Sequence, residues 1–229
     1  MALPLYLALT SAERSENLPE RMAYLACHFA PGGQVLSNLP TRLPPDAMLI
    51  LDDSMPMSDH DPERIASQLS ELITRFGCDS LLLDFQRPQI APQQALAKLL
   101  CGTLPCPVGV SELYADSLPC PVFLPPVPPD KPLCEYLAPW KGRDIWLEAA
   151  LEGVTLALTE EGCDAAPLFD VPEMGFWEEK LHCHYTVQQS GQAAVFHLWR
   201  TREDLLGLLF HAADSGVSRA VGLWQELCI

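Results

Sequence analysis

Five acidic side chains, one glutamine and one tryptophan lie in or just after apolar segments of this sequence. An enzyme built on a parallel sheet places its active site at such strand ends. Two carboxyl groups held about 5–10 Å apart can divide the acid and base roles of hydrolysis between them. An amide and an indole ring can bind a polar ligand. The residues with this placement are Asp52, Asp53, Asp84, Gln86, Glu112, Glu148 and Trp224.

The stretch CDSLLLDFQRP, residues 78–88, contains two of these residues. Its apolar run leads into Asp84, and Gln86 follows two positions later. A carboxylate at the end of a buried strand needs a partner, because burying an unpaired charge costs free energy. Arg87 is close enough in sequence to be that partner. Asp84 can therefore serve a structural ion pair or a functional site, whereas Gln86 cannot donate a proton as an acid does.

The sequence contains no clear motif for a metal or a cofactor. His182 and His184 share one face of a strand, which is a spacing that metal ligands use. A third ligand is not evident nearby, so we expect surface histidines and no metal. No GxGxxG, P-loop, GxSxG, HExxH or CxxC motif occurs, and we expect no cofactor. A nucleophilic cysteine stays possible, although none of the nine cysteines stands out.

The charge of the chain excludes several classes of partner. The formal net charge is −16 in 229 residues, and only 14 residues are Lys or Arg. Binding to nucleic acid or to an anionic membrane requires clustered basic residues, so we expect neither partner. The nine cysteines follow no disulfide framework, and the apolar start MALPLYLALT has the character of a first strand. We therefore expect a cytoplasmic protein.

Apolar strands that alternate with helices predict a parallel sheet covered on both faces. We expect helices over 17–29, capped by Asn17, and over 61–76, capped by Asp61 and ended by Gly77. Another helix is expected after Thr201, which has capping-box spacing to Asp204, and it ends at Gly216. Strands are expected at 3–10, 47–53, 80–86, 107–111, 121–124, 144–150 and 219–225. A short eighth strand is possible in QVLSNL.

This number of strands predicts a small, distorted (β/α)₈ barrel, and an open doubly wound sheet is the alternative. LPCPVGV recurs fourteen residues later as LPCPVFL, which predicts consecutive parallel strands with a shortened connection. PPVPPDKP reads as a stiff loop at the barrel rim. The later segments GVTLALTEE and HCHYTVQQSGQAAVFHLW are typical of antiparallel ribbon. We expect one domain over 1–229, with a β-rich insertion at about 151–200.

Two of these segments resemble the family 18 glycoside hydrolases, the chitinase-like barrels. DSLLLDFQ is similar to the strand motif DGxDxDxE of that family, and the order of elements after residue 194 is similar to its C-terminal end. By this resemblance Asp79 and Asp84 match the first and last Asp, and Trp224 matches the terminal tryptophan. Leu82 replaces the middle Asp, and Gln86 replaces the catalytic Glu.

The resemblance implies a barrel that has lost the chemistry of its family. There the Glu protonates the leaving oxygen while the acetamido group of the substrate attacks, and Gln has no such proton. We therefore expect a catalytically silent barrel that binds a small polar or sugar-like ligand, such as a carbohydrate. Two alternatives stay open. One is a cytoplasmic hydrolase that uses Asp52, Asp53, Glu112 or Glu148, and the other is a protein-interaction module.

Overall fold

Eight parallel strands close into a barrel in the computed structural model, which describes residues 3–10, 19–30, 33–55, 61–87, 90–191 and 193–228. In chain order the strands are β1 (Leu5–Leu9), β2 (Met22–Ala30), β3 (Gln34–Ser37), β4 (Met48–Asp52), β5 (Ser80–Asp84), β6 (Val108–Ser111), β7 (Val122–Leu124), β8 (Ile145–Ala149), β9 (Gly153–Thr159), β10 (Gly162–Pro167), β11 (Phe176–Glu178), β12 (Cys183–Ser190), β13 (Ala193–Trp199) and β14 (Val217–Leu223). Pairing of β1 with both β2 and β14 closes the barrel of β1, β2, β4, β5, β6, β7, β8 and β14. The predicted barrel is confirmed, and the alternative of an open doubly wound sheet is wrong.

The helices cover the outside of the barrel. They are α1 (Pro62–Phe76), α2 (Ala91–Thr103), α3 (Leu133–Leu137), α4 (Arg202–Asp214) and α5 (Trp224–Leu227), with a 3₁₀ turn at Ala138–Trp140. The predicted ends of α1 are confirmed: the Asp61 side chain accepts from the Glu63 amide, and Gly77 has a left-handed φ of 66°. The capping box of Thr201 and Asp204 is confirmed at the start of α4.

The helix expected over 17–29 is wrong, because its described part forms barrel strand β2. Both faces of this segment are buried, and β2 pairs with β1 on one side and β4 on the other. Burial in the barrel thus overrides a helical reading of the pattern. QVLSNL is not a barrel strand either: β3 pairs antiparallel with the end of β2. Asn17 lies outside the described residues.

The connection between β6 and β7 contains only turns, yet the two strands are parallel neighbours, as the repeated LPCPV segments predict. A second sheet lies between β8 and α4 in the chain. Its five antiparallel strands have the order β10, β9, β13, β12, β11. The expected ribbon turn is present after β12, where Gly191 has a positive φ of 63°.

The barrel interior is filled by side chains from alternate strand positions, as the two-residue period of a strand requires. The inner cluster includes Met48, Ile50, Leu82, Phe123 and Trp146. Below it, at the amino ends of the strands, a polar cluster closes the barrel. There the Tyr6 hydroxyl donates to Asp79 over 2.7 Å, and Arg219 Nη1 donates to the Ser80 hydroxyl over 2.7 Å. Arg219 also contacts Asp79 at 3.3 Å and lies 4.8 Å from the Trp146 ring centroid.

All nine cysteines are free thiols. Within the described part of the chain, no helix has both the length and the apolar composition that a membrane span requires.

Candidate functional site

Three predicted acids point into the carboxyl-end mouth of the barrel because they continue the inward rows of their strands. Asp52 follows Met48 and Ile50 along β4, and Asp84 follows Leu82 along β5. Asp52 and Asp84 are direct register partners in neighbouring strands. Glu148 follows Trp146 along β8 in the same way. The mouth therefore has carboxylates around an apolar floor.

Asp52 is held as a carboxylate by its neighbours. The Ser54 amide and hydroxyl donate to Asp52 Oδ1 over 2.9 Å and 2.6 Å, and His28 Nδ1 lies 2.7 Å from Asp52 Oδ2. Burial works against the charge of Asp52, but these contacts outweigh it and lower the pKa of the carboxyl below its ordinary value. A register shift in β2 between Leu25 and Cys27 turns His28 toward the mouth, so a simple strand period does not reveal this residue.

Asp84 has a different partner from the one that the sequence suggested. Gln86 Nε2 donates a hydrogen bond to Asp84 Oδ1. Arg87, one candidate partner of Asp84 in the sequence, instead donates to the Ser54 carbonyl oxygen over 2.8 Å. Burial raises the pKa of Asp84, the Gln86 hydrogen bond opposes that shift, and the charges of Asp52 and Asp53 reinforce it. The amide of Gln86 is thus bound to a carboxyl group at the mouth.

Asp53 lies beneath the mouth and fixes the loop that carries Gln86. Its side chain is only 3% exposed. Asp53 accepts from the amides of Gln86 and Arg87 at 3.0 Å each, and from Gln93 Nε2 at 3.1 Å. The Tyr114 hydroxyl donates to Gln93 Oε1 over 2.7 Å. Asp53 is therefore a positioning residue for the loop after β5.

Glu148 has a carboxyl group whose pKa is raised toward neutral pH. Burial is the largest cause, and the negative charges of Asp84, Glu152 and Glu226 add to it, which raises the pKa of Glu148 to about 7. Burial also raises the pKa of Glu152. Glu226 accepts a hydrogen bond from the Leu151 amide, which anchors α5 to the end of β8. One mouth is therefore lined by an acid with a raised pKa, Glu148, and an acid with a lowered pKa, Asp52.

Tyr136 lies close enough to Glu112, Glu148 and Glu152 to be affected by their charges. Its hydroxyl donates to the Pro125 carbonyl oxygen over 2.8 Å. Burial raises the pKa of Tyr136, and the charges of Glu112, Glu152 and Glu148 raise it further. The sequence reasoning missed Tyr136 and Glu152 because neither stands in or at the end of a barrel strand. The proline-rich run before Tyr136 was the only signal of a rim loop.

Trp224 is set apart from these acids by its packing. It begins α5, is half-buried and packs against the outer hydrophobic cluster between the barrel and its helices. Beside Glu152 the mouth adjoins a cavity of about 460 Å³ that β9, β10 and the proline-rich loop form. Pro128, Asp130 and Pro167 are among its lining residues.

The two predicted histidines contact α4. His184 Nδ1 lies 2.9 Å from Asp204 Oδ2, and the rings of His182 and His211 are 4.8 Å apart. Among the described residues, no group of three or more His, Cys, Asp or Glu side chains is arranged to hold a metal ion.

Solved structures of chitinase-like barrels share this fold, although no protein-family model and no curated protein matches the sequence. The chitinase-like agglutinin from Robinia pseudoacacia has a TM-score of 0.61 at 11% identity, over 96% of this chain and 94% of its own. A double mutant of the GH18 chitinase from Cycas revoluta, solved in complex with (GlcNAc)4, has a TM-score of 0.59 at 11% identity, over 96% and 94% of the two chains. The spore cortex-lytic enzyme SleL from Bacillus cereus has a TM-score of 0.58 at 10% identity, over 96% and 70%. The chain therefore has the fold of the GH18 chitinase-like barrels.

Proposed function

We propose that this chain is a catalytically silent, glycoside-hydrolase-like barrel that binds a carbohydrate at its carboxyl-end mouth. The observation that supports this most strongly is Gln86, whose amide donates to Asp84 after β5. By the resemblance of DSLLLDFQ to the family motif, this is the position of the proton donor. An amide has no proton to transfer to a leaving oxygen, so the acid step of that mechanism has no donor here.

Leu82 supports the same conclusion. It stands where the resemblance expects an acid that helps the acetamido group of the substrate. In this fold Leu82 is fully buried in the inner cluster with Ile50 and Trp146. The layer below Asp84 is therefore apolar, and it offers no charge to stabilise an intermediate.

The polar groups above this layer suit a sugar. Carboxylates accept hydrogen bonds from hydroxyl and amide groups, and Gln86 can both donate and accept. A chitinase-like agglutinin and a GH18 chitinase in complex with (GlcNAc)4 have similar folds. These likenesses make an oligomer of N-acetylglucosamine the first ligand to test. Because the cysteines are all free thiols, we also propose a reducing, cytoplasmic setting.

Titration calorimetry with (GlcNAc)4 tests the location of the site. Gln86→Ala is expected to weaken binding by about tenfold, because a ligand hydrogen bond and the support of Asp84 are both lost. Gln188→Ala is the matched control, since Gln188 is exposed on β12, far along the chain in the second sheet. Equal losses in the two variants would place the ligand elsewhere. Release of shorter sugars by the wild type would end the proposal of a silent barrel.

Hydrolysis by other acids is a second candidate, and Glu148 favours it. With a pKa of about 7 this carboxyl can give a proton at neutral pH, while Asp52 stays ionised. If the wild type cleaves a glycoside, this candidate expects Glu148→Gln and Asp52→Asn to abolish cleavage, and Gln86→Ala to leave it largely intact. Cleavage that survives Glu148→Gln would remove this candidate.

A further inference from the structure

One face of the second sheet is apolar across its strands. Directly paired residues of antiparallel strands lie on the same face. One row of side chains crosses β9, β13 and β12 and consists of Leu156, Phe196 and Val187, because Phe196 pairs directly with both of the others. The next row contains Leu158 and Ala194, which are also direct partners. Gln189 on β12 completes this second row with a polar side chain, so the hydrophobic surface covers β9 and β13 and reaches Val187 on β12.

The opposite face of the same strands is more polar, although it also includes the paired residues Ala157 and Val195. Thr155 pairs with His197, and their side chains are 3.0 Å apart at Oγ1 and Nδ1. His197 in turn pairs with Thr186, and Gln188 continues that face along β12. The sheet is thus two-sided in chemistry, as a sheet is when one face packs against another layer.

The apolar face is partly covered at one end and open over the rest. At the covered end, Leu198 is buried and the Cys183 thiol lies 3.5 Å from the Pro129 carbonyl oxygen of the rim loop. In the open part, Leu158 is 41% exposed and Val187 is 49% exposed. Phe176 on β11 is 66% exposed at the sheet margin. Contiguous exposed apolar surface of this kind is typical of a protein interaction site.

A depression interrupts this surface. A cavity of about 360 Å³ lies beside Tyr185, Phe196 and Leu198, with Leu181 and Pro132 on its far side. Its walls are mainly apolar side chains, and Glu178 and Lys180 stand at its edge. A cavity of this size accepts a large aliphatic or aromatic side chain from a partner, which is how interface anchors bind.

The charged residues around the apolar face are almost all negative. Residues 153–199 contain seven Asp and Glu residues but only one basic residue, Lys180. Glu160 and Glu161 stand in the turn between β9 and β10, and Glu178 shares a strand with Phe176. Two copies of this surface would bring acidic rims together, and like charges oppose such contact. A basic partner is favoured instead.

We propose that the apolar face of the second sheet docks an amphipathic helix of a basic protein, with its apolar stripe on Leu158, Phe196 and Val187. Lysine and arginine on the flanks of that helix would meet the acidic turns of the sheet. The helix would supply the missing layer over the sheet, and one large side chain would fill the cavity beside Tyr185. This surface is distinct from the barrel mouth, so the proposal does not depend on carbohydrate binding.

Fluorescence anisotropy with a labelled Leu/Lys amphipathic peptide of about 15 residues tests the proposal on the whole chain. We expect saturable binding that weakens as salt is added. Val187→Lys adds to the apolar face a positive charge like those of the peptide, and it is expected to weaken binding by about tenfold or more. Gln188→Lys is the matched control, because it adds the same charge one residue away on the polar face, and it is expected to change affinity by less than about twofold. Leu158→Lys repeats the test on β9, and circular dichroism verifies that each variant folds.

Three outcomes would overturn the proposal. Equal binding of a Leu/Glu peptide with the same apolar pattern would show that charge does not select the partner. Equal effects of Val187→Lys and Gln188→Lys would place the peptide elsewhere. A wild-type dimer that Val187→Lys converts to monomer in sedimentation would assign the face to a second copy of this chain.

Discussion

At the residue scale, the barrel mouth combines carboxyl groups whose pKa values are shifted in opposite directions. Asp52 is stabilised as an anion by Ser54 and His28, whereas burial and neighbouring charges favour the protonated form of Glu148. Gln86 stands between these acids in the chain and binds Asp84. This arrangement keeps like charges from destabilising the fold while it leaves several hydrogen-bonding groups for a ligand.

The protonation of Glu148 makes stability depend on pH. The ordinary pKa is 4.5 and the folded value is about 7, so the folded protein keeps a proton that the unfolded chain loses between these values. This group therefore lowers wild-type stability as pH rises from about 4.5 to 7. Glu148→Gln removes the effect, and we expect it to stabilise the protein at pH 8 by on the order of 2–3 kcal/mol and by little at pH 4.

Denaturant unfolding at the two pH values measures this difference. The control is Glu71→Gln on the exposed side of α1. Its free energy of unfolding is expected to stay within about 0.5 kcal/mol of the wild-type value at both pH values. An advantage of Glu148→Gln that is the same at pH 4 and pH 8 would contradict the assignment of a buried, proton-carrying carboxyl.

Asp53 gives a second prediction at this scale. Asp53→Ala leaves the amides of Gln86 and Arg87 without their acceptor, so we expect a loss of about 2–4 kcal/mol in unfolding free energy. Binding at the mouth should weaken as well, because the loop that carries Gln86 loses its anchor. Asp116→Ala, in an exposed turn, should change stability by less than about 0.5 kcal/mol. Similar unfolding curves for the two variants would rule out this role.

The sequence predicts part of the mouth at the level of residues. Asp52, Asp84 and Glu148 are found because the strand period carries an apolar inward row directly into each acid. His28 is hidden by a register shift in β2, and Tyr136 and Glu152 lie in connections whose position depends on the whole fold. Asp53, one residue from Asp52, faces away from the mouth, and only the contacts of its carboxylate reveal its role.

At the element scale, local signals specify α1 better than β2. Helix α1 has a capping Asp61, a proline in its first turn and a left-handed Gly77 at its end, and each signal acts within a few residues. Strand β2 has no such start or stop signals in its described part. Its apolar residues suit either a helix or a strand, and pairing with β1 and β4 decides the outcome.

Strand β6 contains a glycine that the barrel interior requires. A Cβ atom at Gly109 would overlap the Trp146 ring, whereas a Cβ at Gly102 in α2 would meet nothing within 4 Å. We expect Gly109→Ala to destabilise the protein by about 2 kcal/mol or more. Gly102→Ala should stabilise it by up to about 1 kcal/mol, because alanine favours the helix. The melting temperatures of the two variants test these expectations. A Gly109→Ala variant as stable as the wild type would mean that Trp146 packs elsewhere.

At the scale of the whole molecule, the two ends of the barrel differ in the side chains that they carry. A polar cluster closes the amino end, and its members are Arg219, Asp79, Tyr6 and Ser80. The apolar layer around Trp146 separates this cluster from the mouth. The acids Asp52, Asp84 and Glu148 lie at the opposite, carboxyl end, which is where we expect a ligand to enter. The fold is that of the GH18 chitinase-like barrels.

The central claim is that this mouth binds a sugar and does not cut it. Its most direct test is calorimetric titration of the wild-type chain with (GlcNAc)4 at pH 7, followed by mass analysis of the recovered sugar. We predict saturable heat of binding and a tetramer that is recovered intact after prolonged incubation. The contrary result is (GlcNAc)2 or other shorter products in the recovered sample, or no heat of binding at any sugar concentration.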